Sequence, residues 1–254
     1  MISESLLRER LGGLPIDVMT PAAPDSTNNV AKSLAESHPE KPVLIAADFQ
    51  TAGRGRQGRN FASPRGGLYL SVLLPTAGRA ASEIVGVTSA AAVAVARAVD
   101  ECAGCRTRIK WVNDILLDGG KLAGILCENI GDSARSRYLV VGVGVNLLSA
   151  PTLPDAAFPP VSLADAGCRA EPETLAASIA GGILGIASHG FSFSAYTDEY
   201  RARSIVLGRR IAFTRNGQAE EGEVAAIDGD GALIVLTPSG ARRLSSGEIR
   251  IRPI

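Results

Sequence analysis

The sequence predicts an α+β fold, a mixed β-sheet packed with helices and followed by a small C-terminal β-barrel. Three observations carry this. Strand-like apolar runs alternate with helical segments up to about residue 206. A hairpin signal, "DGG" at Asp118–Gly120, divides two apolar runs in the middle of that region. From residue 207 onward only short strands remain, split by "NG", "GDG" and "SG" turns. Residues 1–206 are therefore expected to form the main domain and residues 207–254 a small all-β one.

In chain order, a short helical lead precedes the strand "LPIDVMT", and "DSTNNVAKSLAE" starts a helix that Asp25, Ser26 or Thr27 can cap through a side-chain oxygen. The apolar strand "PVLIAAD" leads into a glycine- and arginine-rich loop, and "LYLSVLL" follows it. "IVGVTSAAAVAVARAVDECAG" reads as a buried, Ala-rich helix, because Arg97 and Asp100 interrupt it before a membrane span is complete. The hairpin "IKWVNDILLDGGKLAGILCEN" and the buried strand "RYLVVGVGVNLL" complete the expected sheet. Gly142 and Gly144 interrupt that strand where a ligand or another backbone comes close. A Pro- and Ala-rich surface connection, two helices and the short strands close the chain.

The 254 residues carry 26 Lys+Arg and 26 Asp+Glu, a net charge of zero. No global basic excess supports general nucleic-acid or membrane binding, so an anion site must be local. The N-terminal residues lack the order of a signal peptide, and the four cysteines are scattered apart from Cys102 and Cys105. With His38 and His189 as the only histidines, that pair lacks the partners of a zinc site and reads as reduced thiols ending a helix. A cytoplasmic protein is expected.

The local anion site is "QTAGRGRQGRNFASPRGG", which gathers Arg54, Arg56, Arg59 and Arg65 among glycines without an acidic residue. Gly53, Gly55 and Gly58 spell G-x-G-x-x-G. The segment that follows, Arg59 to Pro64, does not read as a helix, so the context of a dinucleotide site fails, and no G-K-[ST] completes a P-loop. A flexible loop that orders over a polyanion remains, beside the plain solvated loop. A second cluster, Lys110, Asn113 and Asp114 in "KWVND" with Lys121 just past the turn, sets an ammonium at the edge of an apolar strand, suited to a carboxylate or phosphate.

These motifs closely resemble those of biotin protein ligases. The loop matches that family's G-R-G-R-x-G-R from Gly53 to Arg59, and "KWVND" matches its K-W-P-N-D with Val112 in place of proline. "DSTN" at Asp25–Asn28, "KLAGIL" at Lys121–Leu126 and "GVGVN" ending at Asn146 complete the order. The resemblance implies a class II synthetase-like catalytic domain with an SH3-like C-terminal barrel. It implies a two-step reaction: biotin and ATP, with Mg²⁺, give biotinyl-5'-AMP and pyrophosphate, and a lysine of a biotin carboxyl carrier protein then takes the biotinyl group. The short lead before the first strand implies the monofunctional type without a DNA-binding domain, with no DNA or membrane partner and a monomeric or homodimeric state.

The site residues follow residue by residue from the resemblance. Ser26, Thr27, Asn28, Gln50, Gly53, Arg54, Lys121, Gly124, Leu126, Gly142 and Gly144 are implied at biotin. Arg54, Arg56, Arg59, Phe61, Asn113, Lys121 and Asn146 are implied at the adenylate, Phe61 standing where many members carry tryptophan. Lys121, Asp114, Arg56 and Asn113 are the implied catalytic set, with Asp114 the contact for Mg²⁺. A lipoate-type acyl-adenylate ligase is the enzymatic alternative, although the glycine triplet followed by histidine expected of it is missing. An RG-loop nucleic-acid binder is the non-enzymatic one, although its loop would be repetitive and its charge positive.

Overall fold

The computed structural model describes the chain apart from residues 133, 154, 155, 216, 246, 248 and 252–254. It begins with α1 (Glu4–Leu11), β1 (Asp17–Met19), α2 (Thr27–Ala35), β2 (Val43–Ala47) and β3 (Gly67–Pro75). Next come α3 (Val87–Ala103), β4 (Arg108–Lys110), β5 (Asp114–Leu117), β6 (Gly120–Gly131) and β7 (Ser136–Asn146). These seven strands form one sheet in the order β1-β2-β3-β7-β6-β5-β4. Only β1 and β2 run parallel; the other pairs are antiparallel, which makes the sheet mixed.

The sheet has two differently covered faces. α3 presents eleven buried residues, mostly Ala and Val, and packs in the main core with α1 and α4 (Pro172–Ser188). With the turn before it, α3 is apolar and long enough to cross a membrane by composition, yet most of it is enclosed here by the sheet and helices. The opposite face carries α2, where Ala31 and Ala35 meet Val43, Ile45, Leu73 and Val140. α2 covers only part of that face. The remainder, toward the start of β3 and the end of β7, is left for the arginine-glycine segment.

The expected "DGG" turn is a two-residue hairpin loop, because Leu117 pairs with Gly120 and the residues between them, Asp118 and Gly119, have φ of 48° and 81°. Positive φ at both positions matches the right-handed twist of the flanking strands. Cys102 and Cys105 are free thiols, as expected, and burial foremost pushes the Cys105 thiol up to about 12.

After α5 (Thr197–Arg203) come β8 (Arg210–Arg215), β9 (Gln218–Ile227), β10 (Leu233–Thr237), β11 (Gly240–Leu244) and β12 (Ile249–Ile251). They form an antiparallel sheet of order β11-β10-β9-β8-β12, consistent with an SH3-like unit. Asn216 of the expected "NG" turn lies outside the described residues. The unit shares the main hydrophobic core, through Val224, Ile227 and Leu233 among others. Two buried carbonyls fasten it: Trp111 Nε1 donates to Gly231 O at 2.8 Å, and Arg201 Nη2 to Ile227 O at 2.6 Å.

Candidate active site

The site's floor is two rows of side chains across three strands. Register sets Ser71, Gly142 and Leu126 in one row and Tyr69, Gly144 and Gly124 in the next, across β3, β7 and β6. Directly opposed residues point to the same face, so the glycines clear a shallow trough. Side chains fill it from above. The Phe61 ring lies on the second row, its Cε1 only 2.5 Å from where a Cβ on Gly144 would stand, and it meets Tyr69 edge-on at 6.4 Å. The Asn28 carboxamide occupies the corresponding space over Gly142. Any side chain on either glycine would displace one of them.

Ser26 is the N-cap of α2 but makes no capping bond with its side chain. Gln50, from the strand side, serves the helix instead: its Oε1 accepts from Thr27 N at 2.8 Å and Thr27 Oγ1 at 3.2 Å, while its Nε2 donates to Ser63 Oγ at 2.8 Å. Asn28 Nδ2 donates to Glu128 Oε2 at 2.8 Å, and Ser71 Oγ lies 2.6 Å from Asn28 Oδ1. Ser26, Thr27 and Asn28 are all buried beside the trough.

The arginine-glycine segment, expected as a loop that orders over a polyanion, is folded here as a laddered hairpin. Gln50 N bonds Ser63 O at 3.1 Å, Phe61 N bonds Gly53 O at 2.9 Å, and Gly55 N bonds Arg59 O at 2.7 Å, with the tight turn at Arg56–Gly58. These bonds fold Phe61 down into the site. The arginines diverge. Arg54 turns back to α2, with Nη1 3.1 Å from Asn29 Oδ1 and Nη2 3.8 Å from Glu128 Oε1. Arg56 reaches the opposite way and donates to Asn113 Oδ1 at 3.1 Å. Asn113 is fixed in turn by Ile125, whose carbonyl accepts from its Nδ2 at 2.9 Å.

A β-bulge places the lysine. Asp114 pairs with Gly124 and Ile115 with Ala123, but Leu116 pairs with Lys121, leaving Leu122 as an extra residue. In regular alternation Lys121 would face the core, opposite to Gly124; the extra residue reverses its side. Leu122 goes to the core, fully buried, and Lys121 joins Gly124 and Leu126 on the site face. Its ammonium lies 2.7 Å from Asp114 Oδ1 and 5.8 Å from the Phe61 ring centre. Lys110 Nζ stands 3.5 Å from Asp114 Oδ2.

Two cavities meet here. The smaller, about 160 Å³, is lined by Ser26, Thr27, Asn28, Gln50, Arg54, Arg56, Asn113, Gly124, Leu126, Gly142 and Gly144 among others. The larger, about 1000 Å³ and open to solvent, is lined by Asn146, Phe158 and Ile251 among others. Arg59, Phe61, Lys110, Asp114 and Lys121 belong to both and form the shared wall. Most residues implied at the site thus come together. Gly53 lines neither cavity and is packed inside the hairpin against Ser63 and Phe61. Asn146 faces only the larger one, donates to Lys121 O and Val161 O, and leaves its buried Oδ1 without a partner. Arg54 faces only the smaller one.

Asp114 was expected to hold Mg²⁺, and its geometry fits poorly: an ammonium faces each of its oxygens. No group of three or more His, Cys, Asp or Glu gathers among the described residues. Sequence reasoning missed Glu128, which sits behind Asn28, and Ile249, which the C-terminal sheet brings to both cavities. Neither position carries a local signal. Lys110 was legible, in "KWVND".

Comparison with known proteins matches residues 21–146 to the Biotin/lipoate A/B protein ligase family and residues 206–252 to the Biotin protein ligase C terminal domain. A biotin--[acetyl-CoA-carboxylase] ligase of Paracoccus denitrificans is 35% identical over 90% of this chain and 98% of its own length. The chain belongs to the biotin protein ligase family. A bifunctional ligase/repressor of Bacillus subtilis is 33% identical over 89% of this ligase and 71% of its own length. The structure of Aquifex aeolicus biotin protein ligase in complex with biotin and ATP shares the fold, with a TM-score of 0.74, covering 93% of this chain and 98% of that one at 23% identity. The mixed sheet with its separate antiparallel C-terminal sheet is the architecture of these enzymes.

Proposed function

We propose that this ligase activates biotin with ATP in the paired cavities and passes it to a lysine of a biotin carboxyl carrier protein, the smaller cavity taking the biotin ring and the larger the adenylate. The observation that supports this division is the shared wall. A carboxylate reacting with an α-phosphate must lie where the acyl and nucleotide sites meet, and there stand Lys121, Asp114, Lys110 and Arg59. The smaller cavity, walled by Phe61, Gly124 and Leu126 with a polar rim of Ser26, Thr27 and Gln50, suits an apolar bicycle bearing a polar cyclic urea.

In the first step a biotin carboxylate oxygen bonds to the α-phosphorus as the bond from that phosphorus to the β-phosphate oxygen breaks, and pyrophosphate leaves. Two anions must be joined, so cations at the shared wall lower the barrier. Lys121, held by Asp114, neutralises the carboxylate and then the bridging oxygen. Arg59 covers the phosphate side from the shared wall, and Arg56, which lines the smaller cavity alone, reaches the junction from the acyl side through Asn113. In the second step the carrier's lysine nitrogen bonds to the acyl carbon, the carbon–oxygen bond to phosphate breaks, AMP leaves, and Asp114 is placed to receive the amine's proton. Mg²⁺ bound with ATP would screen the phosphate charge, and Asp114, with an ammonium at each oxygen, would not hold it. We assign it no protein ligand.

The catalytic work is assigned to residues 1–206, with residues 207–254 docked behind Trp111 and lending Ile249 to both cavities. The carrier is supported by the Paracoccus denitrificans relative, a biotin--[acetyl-CoA-carboxylase] ligase. A lipoate substrate is not favoured, because the C-terminal match is to a biotin ligase unit. Incubation with biotin, ATP and Mg²⁺ should yield biotinyl-AMP by mass spectrometry, and lipoate in its place should yield none. Lipoyl-AMP without biotinyl-AMP would reverse the assignment.

A further inference from the structure

Behind the biotin cavity lies a half-buried carboxylate that the chemistry does not use. Glu128 Oε1 accepts from Lys32 Nζ at 2.5 Å, Glu128 Oε2 accepts from Asn28 Nδ2 at 2.8 Å, and Arg54 stands 3.8 Å away. We infer that Glu128 is a positioning residue for the cyclic urea of the substrate, acting through Asn28, Ser71 and Thr27. This rests on the biotin reading of the smaller cavity.

The reasoning is one of hydrogen-bond polarity. An ionised carboxylate only accepts, so Asn28 must turn its NH₂ toward Glu128 and its Oδ1 away. That Oδ1 faces Ser71 Oγ at 2.6 Å, which commits the single Ser71 proton to Asn28. Ser71 Oγ then has only lone pairs for Thr27 Oγ1, 2.8 Å away. Gln50, whose Oε1 accepts from the Thr27 N–H, likewise offers Thr27 Oγ1 an acceptor at 3.2 Å. The Thr27 proton is therefore spent on the protein whichever acceptor it takes, and its lone pairs are left for the cavity. A urea N–H is the donor they fit.

Glu128 stays charged despite its surroundings. Burial alone would raise its pKa, but the bonds from Lys32 and Asn28 and the nearby Arg54 outweigh burial and hold it below the ordinary carboxylate range. Glu128→Gln keeps the shape and removes the constraint. The new amide can donate to Asn28, the Asn28 carboxamide can reverse, and Ser71 can then donate to Thr27, occupying the lone pair meant for the ligand.

The test is a double-mutant cycle read by biotin affinity, using calorimetry on the full chain without ATP. Glu128→Gln should weaken biotin binding about tenfold, on the scale of one hydrogen bond, while kcat at saturating biotin and the KM for ATP change less than about threefold. In an Asn28→Ala background the same substitution should cost less than about twofold, because the relay is already cut. Equal losses in both backgrounds, or biotin affinity unchanged in Glu128→Gln, would overturn the inference. Should Glu128→Gln fail to fold, Glu128→Gln with Lys32→Met leaves no stranded ammonium and is measured in the same two backgrounds, with the same outcomes decisive. A wild-type protein that binds no biotin would instead sink the proposed function.

Discussion

Lys121 and Asp114 meet at 2.7 Å because one extra residue, Leu122, turns the lysine onto the face of the sheet that carries the site. Asp114 thereby aims an ammonium that stands between the two cavities. Lys121→Gln keeps most of the length and loses the charge. Adenylate formation, followed by pyrophosphate release, should fall by roughly 10²–10³, the scale of losing one charge-stabilising donor. Lys110 remains beside Asp114, so the fold should survive. Pyrophosphate release within about threefold of wild type would take Lys121 out of the chemistry.

That bulge also marks where reading the sequence stops. The "DGG" hairpin was legible because Asp and Gly are the residues that tolerate positive φ, and the Ala-rich helix because its apolar run is continuous. The cavity's polar rim was legible only through matched motifs. Which face Lys121 takes depends on a register shift between β5 and β6, and no local pattern in "GGKLAGIL" announces it. Glu128 is equally silent: its partners Asn28 and Lys32 lie about a hundred residues away, on α2. Nothing in "KWVND" announces the bond of Trp111 to Gly231, which exists only because the C-terminal sheet docks there. The hairpin shape of the arginine-glycine segment was not legible either, because composition does not reveal the backbone bonds that Gly53 and Gly55 make with their partners.

The glycine floor should tolerate no methyl group under Phe61. A Cβ on Gly144 would stand 2.5 Å from the ring's Cε1, so Gly144→Ala must displace the ring into the cavities it lines. Overpacking of this kind costs about 1–3 kcal/mol, and biotin affinity should fall at least about tenfold. Adding Phe61→Leu, a smaller side chain, should return part of that loss. A Gly144→Ala protein that binds biotin as wild type does would show that the ring is not seated on this row when ligand is present.

Glu128 makes a pH prediction with a definite sign. Its folded pKa lies below its unfolded one, the groups facing it being Lys32 from α2 and Arg54 from the hairpin. Its contribution to stability is therefore complete above the unfolded carboxylate value of about 4.3 and is lost as pH falls through the lower folded value. Wild type and Glu128→Gln, compared by urea unfolding, should differ by a constant amount from about pH 5.5 to 8 and converge below about pH 4. A gap that instead narrows between pH 6 and 8 would mean the carboxylate gains its proton far more easily than this environment allows.

The last expectation separates making the intermediate from keeping it. Arg56 spans the hairpin and the sheet, donating to Asn113, which Ile125 locks to the strand. Arg54 is occupied elsewhere, at Asn29 and Glu128, and so cannot replace it. Arg56→Gly removes the side chain that joins hairpin to sheet, and glycine adds backbone freedom at the turn. Losing one charge-assisted contact costs on the order of 2 kcal/mol, or about thirtyfold in retention of biotinyl-AMP. Lys121 and Asp114 are untouched, so synthesis should continue. The variant should therefore release reactive adenylate and label lysines on bystander proteins, while transfer to the carrier becomes less efficient. Limited proteolysis gives the structural readout: biotin plus ATP should slow cleavage after Arg54 and Arg59 in the wild type, and protect the variant less. If ligands leave the wild-type cleavage rate unchanged and the variant labels no bystander, the hairpin is not a cover, and Arg56 serves only to brace Asn113.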